Sequence, residues 1–185
     1  MLEIEAKIKI DSAGDVEKRL KSAGAVFLGT QRQNDSYYNA PHRDFAVTDE
    51  ALRIRVTDDK TELTYKGAKI RDGGAKTDAK AREEFNIGIE SAETMESVLL
   101  RLGFRKSSSV FKTRSEYSFA GTTVALDEVA GLGSFVEIEV ISEDKDSALG
   151  TIADVKKRLE ITGEHIQVSY LEMILEKESL KKILK

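Results

Sequence analysis

The 185-residue chain has no cysteine, no tryptophan, one proline and two histidines. Without cysteine there is no disulfide framework, thiolate zinc site, thiol nucleophile or iron–sulfur cluster. Two histidines, His42 and His165, cannot build a multi-histidine metal site. Any metal must be held by carboxylates, which suit hard cations such as Mg²⁺ or Mn²⁺. No apolar run approaches the roughly 18 residues of a membrane span. The opening MLEIEAKIKI alternates charge instead of supplying a signal-peptide core. The expectation is a soluble, cytoplasmic protein with no membrane partner. Excess charge of one sign is also lacking: 29 Lys+Arg against 33 Asp+Glu leave a net charge of −4. That argues against a general nucleic-acid binder and against an acidic disordered tail. What is plentiful is charge of both signs, 34% of the chain, against roughly 25% in ordinary globular domains. The length suits one domain with a real core.

The dominant pattern is period-two alternation. Leu2, Ile4, Ala6, Ile8 and Ile10 alternate with Glu3, Glu5, Lys7 and Lys9. Leu52, Ile54 and Val56 alternate with Arg53 and Arg55, and Leu63 and Tyr65 with Glu62, Thr64 and Lys66. Similar runs surround Phe85–Ile89, Phe111–Arg114, Val124–Asp127 and Val136–Val140. With a strand expected near 26–38, the count is about eight. Four apolar stripes at helical spacing lie between or after them: Val16–Ala23, Met95–Leu102, Leu149–Leu159 and a last helix near 170–184. Glycines follow the first three as stop signals.

IKIDSAGDVEKRLKSAG (8–24) aligns without gaps to IGIESAETMESVLLRLG (87–103), an offset of 91 − 12 = 79 residues. Each copy reads strand, helix, glycine stop, strand, which predicts pseudo-symmetric halves; the alternative is chance likeness of two generic strand–helix units. The Gly-, Ala- and Lys-rich stretch 67–81 breaks the pattern and reads as a long mobile loop.

The polar positions of the strands are unusual. They carry like-charged doublets: Glu3/Glu5, Arg53/Arg55, Lys112/Arg114 and Glu137/Glu139. Like charges on one strand face repel, so something must offset them. Solvent counterions would suffice, as would one enclosed site where acids hold a metal and bases hold an anion. If the helices cover the apolar faces, the charged faces turn inward. The expected fold is therefore α+β: an antiparallel eight-stranded β-barrel, a tunnel with a polar lumen and helices packed outside. A polyphosphate with divalent cations would satisfy both charge sets.

These residues resemble the CYTH domain of the triphosphate tunnel metalloenzymes. ExExK is matched by Glu3, Glu5 and Lys7; the basic pair by LRIR (52–55); a strand lysine by LTYKG (63–67); K-x-R by KTR (112–114). An aspartate, a glycine turn and ExE are matched by LDEVAGLGSFVEIEV (126–140). The chain is most similar to the class IV adenylyl cyclases, through NDSYYNAPHRDFAVTDEALRIR (34–55). A single CYTH domain over 1–185 is expected, with its C-terminal helix at about 170–184.

The resemblance implies that Glu3, Glu5, Asp127, Glu137 and Glu139 ligate Mg²⁺ or Mn²⁺. It implies that Lys7, Arg53, Arg55, Lys66, Lys112 and Arg114 clamp the triphosphate, joined by Arg82 and by Lys76 of the loop. Glu5 or Glu139 would assist the nucleophile, and Lys66 or Arg114 the leaving group. The implied reaction is ATP to cyclic AMP and pyrophosphate, an ATP-binding lyase. Sister groups act as triphosphatases on tripolyphosphate or thiamine triphosphate; the absence of tryptophan weighs against thiamine, which animal members stack on that residue. A non-catalytic polyphosphate-binding module is the remaining alternative, and it does not need four paired glutamates. A homodimer is suggested by family analogy alone.

Overall fold

The computed structural model describes residues 2–68 and 83–183, with the side chains of Leu2, Glu3, Lys145, Lys182 and Ile183 left aside. The expectations for Lys76, Arg82 and most of the 67–81 loop fall outside the described residues, as does the one for the Glu3 side chain.

Among the described residues there are eight strands: β1 (Leu2–Ile10), β2 (Val26–Asn39), β3 (Ala51–Val56), β4 (Thr61–Lys66), β5 (Glu84–Gly88), β6 (Arg105–Phe119), β7 (Thr122–Val129) and β8 (Gly133–Ser142). They form one sheet in the order β1-β8-β7-β6-β2-β3-β4-β5. The order is palindromic: counted from either end, a strand that precedes a helix is followed by three more. The helices are α1 (Ala13–Ser22), α2 (Phe45–Thr48), α3 (Ala92–Arg101), α4 (Lys145–Arg158) and α5 (Tyr170–Ile183). The α+β class and the eight antiparallel strands match the expectation. The four-residue α2 does not: it has no room for a helical period, so no stripe announces it. Among the described residues, no helix is long and apolar enough to cross a membrane.

The repeat has a structural counterpart at the same offset. Ser12 caps α1 by accepting from the Asp15 amide, and Ser91 caps α3 by accepting from the Thr94 amide. Gly24 and Gly103 end the two helices at φ +80 and +89. The amides of Ala25 and Phe104 reach back to the Leu20 and Leu99 carbonyls at 2.9 and 3.0 Å. These are the capping and left-handed stop devices that short helices need.

The chain forms two compact units. The first holds β1, α1, the start of β2, the latter part of β6, β7, β8 and α4. Its core joins one face of the β1/β8/β7 sheet (Ile4, Ile8, Val124, Leu126, Val136, Ile138) to α1 (Val16, Leu20) and α4 (Ile152, Val155, Leu159). The second unit holds the rest of β2, α2, β3–β5, α3, the start of β6 and α5. Its core gathers Tyr38, Phe45, Leu52, Ile54 and Leu99, with Met95 and Phe104 packed against them. In both units, alternation leaves the other strand face to the charged residues.

Some apolar expectations fail at the margins. Phe111 reads as core but is 52% exposed, and Val98 and Leu102 of the α3 stripe are 44% and 64% exposed. His165 pairs with Ile8 of β1, and the Ile166 amide donates to the Lys7 carbonyl at 2.8 Å. β1 ends the sheet, and this segment satisfies part of its edge. Gly163 permits the approach: a Cβ there would stand 2.5 Å from Ile8 Cγ2 and 3.0 Å from the Lys9 carbonyl oxygen.

Candidate active site

In the first unit, strand register sets the charged face. Glu5 lies opposite Glu139 and Lys7 opposite Glu137, while Arg114 lies opposite Asp127. Directly opposed side chains have Cβ atoms about 4.5–5.5 Å apart, close enough to act on one ion. Lys7 Nζ is 3.4 Å from Glu137 and 3.8 Å from Glu5, and donates to the Val168 carbonyl at 3.4 Å. Arg114 forks onto Asp127 at 2.7 and 2.5 Å and also meets Glu137; Lys112 donates to Asp127 at 3.1 Å.

Asp127 and Glu137 are buried yet ionised. Burial opposes the charge on Asp127, but Arg114 and Lys112 outweigh it and hold the carboxyl at about 2. Burial likewise opposes ionisation of Glu137, and Arg114, Lys112 and Lys7 prevail over it and over the Asp127 charge, holding its pKa below the usual carboxylate range. Glu5 keeps a 30% exposed side chain, and Glu139 is half-buried.

In the second unit, the charged face runs across β2, β3, β4 and β5. Asp35, 2% exposed, accepts both nitrogens of the Arg55 fork at 2.6 and 2.7 Å and lies 3.7 Å from Arg53. Arg53 donates to Thr64 at 3.1 Å, Thr64 donates to Asn86 at 2.7 Å, Asn86 donates to Glu84 at 3.2 Å, and Glu84 pairs with Lys66 at 2.6 Å. Burial opposes ionisation of Glu84, but Lys66 holds its carboxyl below the ordinary value. The network thus places three predicted phosphate ligands, Arg53, Arg55 and Lys66, on one face.

Asp35 is the site residue the doublet pattern missed. It stands alone among Asn34, Ser36 and two tyrosines, so it forms no like-charged pair. Its readable signal is an aspartate inside a strand, where the type is disfavoured unless partnered. Two aromatic side chains of this unit take different places. Phe45 packs into the second core beside Phe104, while Tyr37 shares the polar face and lies opposite Arg53. Burial pushes the Tyr37 phenol up.

The donor set fits a hard divalent cation in kind, since every candidate ligand is a carboxylate. Glu5 and Glu139 offer two such groups in register, with Glu137 next along the strand. Among the described residues, no three carboxylates are gathered round one point, and Asp127 is turned to Lys112 and Arg114.

The model of the CYTH domain matches residues 1–170. The chain belongs to the CYTH family. A Methanocaldococcus jannaschii protein named provisionally as an adenylate cyclase is 40% identical over 177 residues, covering 94% of this CYTH chain and 98% of its own length. The structure of the PH1819 protein from Pyrococcus horikoshii is similar to it with TM-score 0.78 and 37% identity, over 95% of this chain and 99% of that one. A Hippeastrum protein, provisionally an adenylyl cyclase with a dominant triphosphatase activity, aligns with TM-score 0.70 over 95% of this chain and 96% of its own. At 21% identity that likeness shows the fold alone.

Proposed function

We propose that the chain is a metal-dependent enzyme acting on a triphosphate, with ATP converted to cyclic AMP and pyrophosphate as the leading reaction. One observation carries the reading. The first unit has a carboxylate-rich face with Glu5 and Glu139 in register beside Lys7 and Arg114, and the second has a cation-rich face of Arg53, Arg55 and Lys66. A purely anion-binding module would need only the second. Residues 1–185 are taken as one CYTH domain; α5, beyond the matched segment, groups with the β2–β5 unit and supports this extent.

Arg53, Arg55 and Lys66 bind phosphate oxygens through charge-assisted contacts. Lys7, Lys112 and Arg114 act likewise on the first unit's face. Glu3, Glu5, Glu137 and Glu139 would hold Mg²⁺ or Mn²⁺, with Asp127 assisting. A cation held there would lower the pKa of the attacking hydroxyl or water and draw charge from the phosphates. Glu5 or Glu139 takes the nucleophile's proton. Arg114 or Lys66 neutralises charge on the departing phosphate. In the cyclase reaction the ribose 3′-oxygen attacks the α-phosphorus, the bond to the bridging oxygen breaks, and pyrophosphate leaves.

The same groups serve hydrolysis if water attacks the terminal phosphorus, and that is the second reading. Product analysis decides between them. The purified chain with Mg²⁺ or Mn²⁺ is given ATP, thiamine triphosphate and tripolyphosphate in parallel. Cyclic AMP with pyrophosphate is the expected result; orthophosphate without cyclic product assigns a triphosphatase; turnover of none overturns both readings.

A further inference from the structure

Two buried polar atoms on the second unit's charged face have no hydrogen-bond partner among the described residues: Gln33 Oε1 and Arg53 Nε. Both side chains are more than nine-tenths buried, at 5% and 7% exposure. Alternation puts Gln33, Asp35 and Tyr37 on one face of β2, and Tyr37 lies opposite Arg53. Gln33 therefore lies four residues along from the Arg53 level, about 13 Å at strand spacing.

The two atoms ask for opposite chemistry. Arg53 Nε is a donor in need of an acceptor, which a phosphate oxygen supplies. Gln33 Oε1 is an acceptor in need of a donor, which an ionised phosphate does not have. Between the two levels Asp35 occupies both prongs of the Arg55 fork. The anion-binding capacity of that row is thus partly spent within the protein, and its carboxylate repels a phosphate moving further along.

The internal repeat sharpens the contrast. At the offset of 79, Gln33 corresponds to Lys112 and Asp35 to Arg114. The bidentate pair has its charges exchanged: Arg114 on β6 grips Asp127 on β7, whereas Asp35 on β2 is gripped by Arg55 on β3. Lys112 donates to that aspartate at 3.1 Å. Its counterpart Gln33 is neutral and keeps an unmet acceptor.

We infer that Gln33 is a specificity-determining residue that accepts a hydrogen bond from a neutral donor, a sugar hydroxyl or an exocyclic amine, carried beyond the phosphates of an organic triphosphate. The inference rests on the triphosphate reading above and deepens it. A bare inorganic tripolyphosphate satisfies Arg53 but leaves Gln33 unmet. A buried group left unpaired by the wrong substrate is the arrangement that discriminates most strongly between two ligands.

The test compares kcat/KM for ATP with kcat/KM for tripolyphosphate, in the wild type and in Gln33→Met, which keeps length and removes the acceptor. The expected result is a wild type that favours ATP, and a variant whose ATP value falls about tenfold, the worth of one neutral hydrogen bond, with tripolyphosphate unchanged. The tripolyphosphate value monitors folding within the same sample. If Gln33→Met does not fold, Gln33→Asn decides: it keeps the amide but withdraws the oxygen, and an unaltered ratio refutes the role. Equal loss on both substrates means that the amide donates to phosphate, and overturns the inference alone. So does a wild type that turns over tripolyphosphate only. A wild type inert on both overturns the triphosphate reading and the inference with it.

Discussion

A carboxylate that helps to move a proton and one that holds cations in place differ in how they are buried. Glu5, partly exposed and opposite Glu139, is free of the tight double grip that Arg114 and Lys112 have on Asp127. Glu5→Gln keeps size and hydrogen bonding but removes the charge. It is expected to lower kcat by about 10²–10⁴-fold, the range for a lost general base, with the thermal midpoint within a degree or two of wild type. An equal loss of stability would assign Glu5 a structural role. Asp127→Ala behaves in the opposite way. It strands Lys112 and Arg114 in a buried site, and breaking such a pair costs about 3–5 kcal/mol; urea denaturation reads that directly. Much of this site was legible because like-charged doublets of both signs recur together at period two. Lys7, Arg53, Arg55, Lys112, Arg114 and Glu137 all fall on the charged faces. Asp35 and Gln33 escaped because each is single and its importance lies across the sheet, in Arg55 and in an unmet hydrogen bond. Register, which no local pattern reports, brings Asp35 opposite Arg55.

The unit that sequence describes best is the strand–helix–stop element, because its signals are local. Ser12 and Ser91 cap, Val16 and Leu20 or Met95 and Leu99 form the stripe, and Gly24 and Gly103 stop. Ser12→Ala and Ser91→Ala should each cost about 1 kcal/mol, measurable as matched shifts of the urea midpoint; unequal shifts would mean that the two copies no longer share a capping role. Burial diverges between the copies where tertiary context takes over. Ile8 is fully buried, while its counterpart Ile87 is 61% exposed, although both occupy the same place in the pattern. Periodicity says which face a residue takes, not what covers that face. The segment over the edge of β1 is a further case. Nothing around Gly163 signals a close approach, yet a Cβ there meets both an Ile8 methyl and the Lys9 backbone oxygen. Gly163→Ala should therefore destabilise by about 1–3 kcal/mol, as forced overpacking does. Since the same segment carries the Val168 carbonyl that Lys7 contacts, KM for the triphosphate should rise in this variant. A variant with unchanged urea midpoint would show that the segment swings clear at no cost.

Across the whole molecule, ionised carboxylates held below their ordinary range tie stability to pH. Arg43 donates to Glu50 at 2.8 and 2.7 Å, and with Thr48 and Tyr65 it holds that carboxyl at about 2 against the opposing effect of burial. Asp127 is held at about 2 as well, and Glu137 and Glu84 are lowered. Depressed folded-state values mean that the stabilisation is fully present above the unfolded values near 3.8 and 4.5, and is lost as pH falls towards about 2. For Asp127 the difference from 3.8 amounts to roughly 2 kcal/mol, a large share of the 5–15 kcal/mol that keeps a domain folded. These residues lie in both units: Asp127 and Glu137 in the first, Glu50 and Glu84 in the second. Acid should therefore weaken both. Urea midpoints are expected to be flat from pH 7 to about 5 and to fall steeply between pH 4 and about 2. Asp127→Asn should flatten that fall while starting from a lower midpoint at pH 7, because the group that titrates is gone and so is the ion pair it formed. Tripolyphosphate at pH 7 should raise the midpoint by engaging Arg53, Arg55 and Lys66. On acidification the gain should shrink as the phosphates lose charge, although protonation of Glu84 releases Lys66. A gain that grew on acidification would mean that freeing the cations outweighs the lost phosphate charge, and that the carboxylates compete with the substrate more than they position its ligands.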